Sequence, residues 1–312
     1  MNKINNNLII GSGVLGAYLS KEILKRKENV IVTSRSLKKK FKNYNFLNIQ
    51  NKIKFEKLNI KNKKEIIRII KKYNPDKIYY FSGQSSLTKS YKLKNQTYTS
   101  HYIGVKNFLD VMKENKFKFK FFKANSGYIF SPVDGFIKIN SKFSNNKNPY
   151  IQAQQKTFKM IKSYRRFGLK TFNLVFMQIE SALRVNNFFI KKVCLSAKNK
   201  KKIIVGNLNT FRDYSWITEI VKIVKLISES KPQDIILSAG KKISGKEILN
   251  TAYGINKLNY KEFFFVNNKY YRKNEKKILI SHKQNNNYLQ KKYGFKFKIY
   301  GKKLIEKMYN SI

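Results

Sequence analysis

A chain of 312 residues with one cysteine, Cys194, can bury a large core but cannot cross-link itself, which suits a reducing compartment and makes the cytoplasm the expected location. Its formal charge of +50 at pH 7 is nearly all lysine, spread from end to end among asparagine, isoleucine, tyrosine and phenylalanine. All of these residues have A- and T-rich codons, so compositional drift accounts for them together and no specific nucleic-acid partner is expected. No stretch approaches the roughly 20 apolar residues of a spanning helix. The start, MNKINNNLII, runs into a strand pattern with no signal-peptide layout, so a soluble, uncleaved protein without a membrane partner is expected.

In chain order, residues 7–10 end an apolar strand, Gly11-Ser12-Gly13-Val14-Leu15-Gly16 follows at once, and a helix pattern runs through Tyr18, Leu19, Ile23 and Leu24 into a second strand at 29–32. Then come a strand at 53–58, an amphipathic helix at 64–73 ended by Asn74-Pro75, and a strand at 77–81. A helix from about 98 to 115, a strand at 119–124, a helix at 150–167 and a strand at 170–176 complete the alternation. Strands alternating with helices imply an α/β Rossmann-type fold, a doubly wound parallel sheet with ligand sites at the strand carboxyl ends. Beyond Phe176 the rhythm loosens. Strands at 202–205 and 234–237 and helices at 218–228, 245–253 and 302–309 stand among irregular connections, and the asparagine runs 5–7 and 285–287 read as surface loops. The expected division is a dinucleotide-binding domain over 1–176, with a return from about 207–238, and a smaller, partly interleaved substrate domain over 177–312.

The three glycines of Gly11-x-Gly13-x-x-Gly16 serve in turn to make a tight turn, to let the backbone approach a pyrophosphate, and to pack helix closely on strand. The N-terminus of the helix adds oriented N–H groups for phosphates. At the end of the second strand, Val32-Thr33-Ser34-Arg35-Ser36 offers Arg35 and Ser36 where an NAD site would place an acid, so NADP is favoured over NAD. Against the lysine background the few arginines stand out, since a planar fork can grip phosphate bidentately.

Along the chain stand, in order, Gly16-Ala17-Tyr18-Leu19, Pro75-Asp76-Lys77-Ile78-Tyr79, Gly83-Gln84-Ser85, Ala124-Asn125-Ser126 and Asn148-Pro149-Tyr150. Glu180-Ser181, Gly206-Asn207-Leu208, Arg212-Asp213-Tyr214 and Tyr271-Arg272-x-x-Glu275 follow. In the order and spacing of these segments the chain resembles the extended short-chain dehydrogenase/reductases, and within them the GDP-mannose 4,6-dehydratases. The resemblance implies a bound NADP that takes a hydride from sugar C4, loss of water across C5 and C6, and return of the hydride. It further implies Gln84 beside the cofactor, Tyr150 as the acid–base tyrosine, Ser126 on the reacting oxygen, and a lysine four residues after the tyrosine. That position is Gln154, and the position of the expected C5 glutamate is Tyr128. Lys156 lies nearly on the opposite side of the helix from Gln154. The site is therefore read as one positive charge short, and Gln154→Lys is expected to raise hydride transfer about 10–100-fold.

On the substrate side the resemblance places Gln178 near the diphosphate, Glu180, Arg184 and Lys192 in a phosphate-gripping segment, and Arg212, Arg272 and Glu275 at the nucleotide. A GDP-sugar is the favoured substrate, and a homodimer or homotetramer built on the helices at 98–115 and 150–167 the implied assembly. Three readings stay open: a dehydratase-type enzyme with degenerate catalytic positions, a 4-keto-sugar reductase or epimerase that needs no C5 base, and a silent nucleotide-sugar-binding homologue.

Overall fold

A computed structural model describes residues 4–37, 41–271 and 275–312. The chain divides into two compact units, one of Met1–Ile129, Phe143–Val175 and Val221–Ile235, the other of Phe130–Lys142, Phe176–Ile220 and Ile236–Ile312. The first is built on a seven-stranded sheet whose spatial order is Asp234–Leu237, Thr171–Phe176, Lys120–Ser126, Lys77–Tyr80, Asn6–Ile10, Asn29–Ser34 and Lys54–Lys57. Asn6–Ile10 pairs in parallel with Asn29–Ser34 on one side and Lys77–Tyr80 on the other. Parallel pairing continues outward to Lys54–Lys57 and Lys120–Ser126. This is the doubly wound α/β architecture, and the strand order reverses beside Asn6–Ile10, which opens a crevice at the carboxyl ends there.

Burial on both faces explains the strand sequences. All of Lys77–Tyr80 and Thr171–Phe176 is buried, as expected of parallel strands covered by helices on either side. One face packs Leu8, Ile31, Ile78 and Phe121 against Ile66, Ile69 and Ile70 of the helix Lys63–Tyr73 and Val105, Phe108 and Leu109 of Gly104–Glu114. The Asn62 side chain caps the first of these helices by accepting from the amides of Lys64 and Glu65, and Asn74 ends it in the left-handed region at φ 39°.

Two readings of the sequence are corrected here. Asn6 and Asn7 are not loop residues but open the first strand, where Asn7 is fully buried and its Nδ2 donates to Glu28 Oε2 at 2.9 Å. Residues 285–287 lie within the helix Lys283–Tyr293, started by the His282 ring, whose Nδ1 accepts from the Gln284 amide. The helix expected over 98–115 is in fact three joined pieces, Lys94–Tyr98, a π-helical turn at Thr99–Ile103, and Gly104–Glu114. Side chains from outside claim its carbonyls at this turn. Tyr80 Oη donates to Ser100 O at 2.8 Å and Thr157 Oγ1 to His101 O at 2.6 Å, and competition of this kind shifts helical hydrogen-bond register.

The returning segment is fastened by ions. Asp234 accepts from Arg165 Nη2 at 2.6 Å and Asn173 Nδ2 at 2.8 Å, while Lys225 meets Glu28 at 2.5 Å and Lys77 meets Glu229 at 2.7 Å. Asp234→Ala strands the Arg165 charge in a mostly buried place, and urea unfolding should show a loss of about 3 kcal/mol. A loss below about 1 kcal/mol would rank the pair with surface bridges.

The second unit has a mixed sheet in the order Lys242–Ser244, Phe211–Trp216, Ile278–Ser281 and Phe136–Ile137, with Gln178–Glu180 also paired to Phe211–Trp216. A two-stranded ribbon joins Ile203–Val205 to Phe264–Val266. Helices Phe189–Lys198, Gly245–Gly254 and Gly301–Asn310 share a core with Trp216 and Tyr253. Among the described residues no helix is long and apolar enough to cross a membrane.

Candidate active site

Each glycine of the first turn has a distinct surrounding. Gly11 adopts φ +107°, and a Cβ there would lie 2.9 Å from Ser82 Cα. At Gly16 a Cβ would lie 2.8 Å from Gly11 O and 3.1 Å from Ile9 Cγ2, so the helix sits directly on the first strand. Gly13, the N-cap of the helix Val14–Leu24, is exposed, and a Cβ there would meet nothing within 4 Å. The open face at Gly13 and the helix N-terminus behind it fit the pyrophosphate of a dinucleotide. Ser12, Val14 and Leu15 are half-buried around it. Arg35 is exposed beyond the second strand, with Ser36 half-buried beside it.

A polar chain threads the carboxyl side of the sheet. The Asn148 side chain accepts from the amides of Tyr150 and Ile151 and starts the helix Pro149–Arg166, with Pro149 in its first turn. That helix carries Tyr150 and Gln154, both buried. The His101 ring stands perpendicular to Tyr150 with centroids 5.1 Å apart. His101 Nε2 is 2.9 Å from the Gln84 carbonyl, so this nitrogen carries the proton, and Nδ1 accepts from Gln154 Nε2 at 3.3 Å. Burial and the nearby Lys123 charge hold the His101 pKa down at about 3, so the ring is neutral. Gln84 is itself fixed, since Oε1 accepts from the Ser86 amide at 2.7 Å and Nε2 donates to Thr97 Oγ1 at 3.1 Å.

The remaining contact of Gln154 overturns one expectation. Its Oε1 accepts from Lys123 Nζ at 3.3 Å, so a cation from the strand Lys120–Ser126 already stands where the sequence reading found a charge missing. Lys123 also donates to the Ala124 carbonyl and lies 5.8 Å from the centroid of the Tyr80 ring. Lysine at position 154 would set two ammonium groups together in a buried place, so the simple gain expected from Gln154→Lys is withdrawn. Lys156 is exposed and sits over the Tyr98 ring at 5.3 Å. On the same strand Ser126 Oγ accepts from the Tyr128 amide at 3.3 Å, which leaves the hydroxyl proton free to donate outward. Tyr128 follows in the short turn Gly127–Ile129 and brings no carboxylate.

In the second unit, Gln178 and Glu180 lie on one short strand in register with Tyr214 and Trp216. Glu180 is buried, and burial raises its carboxyl pKa to about 7. Arg184 Nε stands 3.9 Å from Glu180, and its guanidinium stacks 3.5 Å from the Phe188 ring centroid. Lys192 Nζ donates to Ile204 O at 2.7 Å, 5.6 Å from the Tyr270 ring centroid. Arg212 and Glu275 form one ion pair at 2.7 Å, with Arg212 Nη1 also donating to Phe211 O at 2.7 Å. Arg272 lies outside the described residues.

The fold and the glycine turn define an extended short-chain dehydrogenase/reductase. More narrowly, the chain belongs to the GDP-mannose 4,6 dehydratase family, whose model matches residues 8–308. GDP-mannose 4,6 dehydratase 2 of Caenorhabditis elegans is 23% identical over 197 residues, 60% of this chain and 52% of that protein. The GDP-mannose 4,6-dehydratase of Yersinia enterocolitica is 22% identical over 193 residues, 59% of this chain and 52% of that one. The chain thus spans about half the length of the curated relatives it matches. Among solved structures, UDP-glucose 4-epimerase of Thermus thermophilus with NAD has a TM-score of 0.82 at 15% identity, covering 98% of this chain and 99% of that one. The dTDP-glucose 4,6-dehydratase of Bacillus anthracis with NAD has a TM-score of 0.81 at 12% identity, covering 98% and 96%.

Lys123 and His101 are the site residues that sequence reasoning passed over. The signal for Lys123 was a lysine inside an otherwise apolar strand, Phe121-Phe122-Lys123-Ala124, hidden by the abundance of lysine elsewhere.

Proposed function

We propose that this protein binds NADP and catalyses oxidation and reduction at C4 of a nucleotide-sugar, with a GDP-sugar as the favoured substrate. The observation that carries the reading is the open Gly13 face at a helix N-terminus beside the point where the strand order reverses. When bound, NADP supplies the acceptor and donor of the hydride. Tyr150 takes the proton of the C4 hydroxyl and returns it, and Ser126 donates to the same oxygen. Gln178, Glu180, Arg184 and Lys192 are assigned to the diphosphate, and Arg212, Glu275 and Arg272 to the nucleoside. The Arg212–Glu275 pair presents the nucleoside with a fixed charge pair rather than two mobile ones.

Tyr128 supports one member of this reaction class over the others. Elimination across C5 and C6 needs a base for the C5 proton, and a phenol with no carboxylate serves poorly there, so 4-keto-sugar reduction or epimerisation fits better than full dehydration. Incubation of the protein with NADP or NADPH and a panel of GDP-, UDP- and dTDP-sugars, with products resolved by mass spectrometry, tests the reading. Hydride exchange at C4 without loss of a water mass is the expected result. Ordinary dehydration of GDP-mannose would restore the dehydratase assignment, and binding without turnover would make the protein a silent homologue. A homodimer or homotetramer is the proposed assembly, open to light scattering.

Cofactor choice gives a separate prediction. Arg35→Ala should weaken NADP more than NAD by on the order of 1.5–3 kcal/mol, the size of a lost charge-assisted contact to the 2′-phosphate. Equal losses for both dinucleotides in calorimetry would reduce Arg35 to an ordinary exposed charge.

A further inference from the structure

The first unit buries lysines, and they are not alike. Lys77 and Lys225 each end on a carboxylate, Glu229 at 2.7 Å and Glu28 at 2.5 Å. Lys123, 1% exposed, ends on the neutral oxygens of Ala124 and Gln154 instead. An ammonium group held in a protein interior without a counter-ion is costly and calls for a use. The groups facing it are Tyr80 from the neighbouring strand, His101 from the π-helical turn and Gln154 from the helix Pro149–Arg166. No carboxylate lies within ion-pair distance of it among the described residues.

The hydrogen bonds from Lys123 run in one direction. Its Nζ donates to Gln154 Oε1, Gln154 Nε2 donates to His101 Nδ1, and His101 Nε2 donates to the Gln84 carbonyl. Every donor meets an acceptor, so the amide of Gln154 cannot flip without breaking two contacts. Gln154 stands one helical turn after Tyr150, and the His101 ring packs edge-on against that tyrosine.

We infer that Lys123 is a positioning residue for the chemistry at Tyr150, supplying through Gln154 the fixed positive charge that the helix itself lacks. The inference rests on the reading of Tyr150 as the acid–base group. While the lysine keeps its proton, the positive charge held against Gln154, one helical turn after Tyr150, favours negative charge developing on the tyrosine oxygen. Burial holds the Lys123 pKa down at about 7, so this help is given below neutrality and withdrawn above it.

Two measurements test this, one without any ligand. The chain has two histidines, so 15N-histidine NMR of the whole protein resolves His101 from His282, with His282→Gln as the assignment control. His101 should stay neutral from pH 5 to 9, yet its Nδ1 resonance should move with a midpoint near 7 as Lys123 loses its proton. That midpoint should vanish in Lys123→Met. Its absence from the wild type, or its survival in the variant, would overturn the linkage whatever the enzyme does. The second measurement compares hydride-transfer rates across pH. Lys123→Met should lose about 10–100-fold at pH 6.5, with the deficit shrinking toward parity by pH 9 and NADPH affinity changing by less than about threefold. The exchange Lys123→Gln with Gln154→Lys, which moves the charge to the other end of one contact, should recover most of the loss of Lys123→Gln alone. A loss that is the same at every pH, or no recovery on exchange, would make Lys123 structural. A Lys123-dependent midpoint in the His101 resonance together with no turnover of any nucleotide-sugar would remove the functional reading while leaving the Lys123–Gln154–His101 linkage in place.

Discussion

Between pH 7 and 10.5 the folded protein should gain stability relative to its Lys123→Met variant. In the unfolded chain Lys123 holds its proton up to about 10.5, whereas in the folded chain burial releases it near 7. Across that window the unfolded state binds the extra proton, so stability rises with pH, and the penalty of the buried charge is fully present only below about 7. The gap between about 7 and 10.5 corresponds to something on the order of 5 kcal/mol, a large share of the stability of a domain. Urea unfolding of both proteins at half-unit pH steps would show it. Lys120, Lys191 and Lys225 are also shifted down by burial, but they titrate alike in both proteins and cancel in the difference. Parallel curves for the two proteins would mean that Lys123 keeps its proton in the fold as readily as in water.

Gly13→Val should leave the fold intact and cost about 100-fold or more in NADPH affinity, about 3 kcal/mol or greater. The backbone there is extended, with φ −77° and ψ −178°, which valine adopts without strain, and the new side chain would point into open space. Its only obstruction is to a ligand approaching the helix N-terminus. Gly16→Val is the contrasting case, because its side chain would strike Gly11 O and Ile9 and lift the helix from the strand. Thermal melting should separate the two, with Gly13→Val near wild type and Gly16→Val well below it. Unchanged NADPH binding in Gly13→Val would remove the phosphate site from this turn.

The first half of the fold was legible because its strands and helices are long enough to show a period. The helix Lys63–Tyr73 buries Ile66, Ile69 and Ile70 at helical spacing and has Asn at both ends, so pattern and caps agree. The second unit was mostly illegible for the opposite reason. Gln178–Glu180, Lys242–Ser244 and Phe136–Ile137 have three residues or fewer, too short for alternation to register, and they gain their place only from pairing with distant segments. The glycine turn, Tyr150 and Gln154 were readable from spacing. Lys123 was not, because a strand residue reaches a helix residue 31 positions away only once the sheet has formed. The asparagine run at 285–287 misled for a local reason, since asparagine favours turns in general but is carried here by a helix that buries Leu289.

The chain path has a consequence for synthesis on the ribosome. Thr171–Phe176 is covered on its outer side by Asp234–Leu237, which is made some 60 residues later, after the chain has run through a segment of the second unit. Until that stretch has emerged, a nascent chain holds an apolar strand edge of six residues, Thr-Phe-Asn-Leu-Val-Phe, with its backbone unpaired. Such edges are templates for pairing with other chains. A net charge of +50 opposes association of copies in general, so the vulnerable interval for intermolecular pairing runs from the emergence of Phe176 to that of Leu237, and chains truncated between those points should be the aggregating ones.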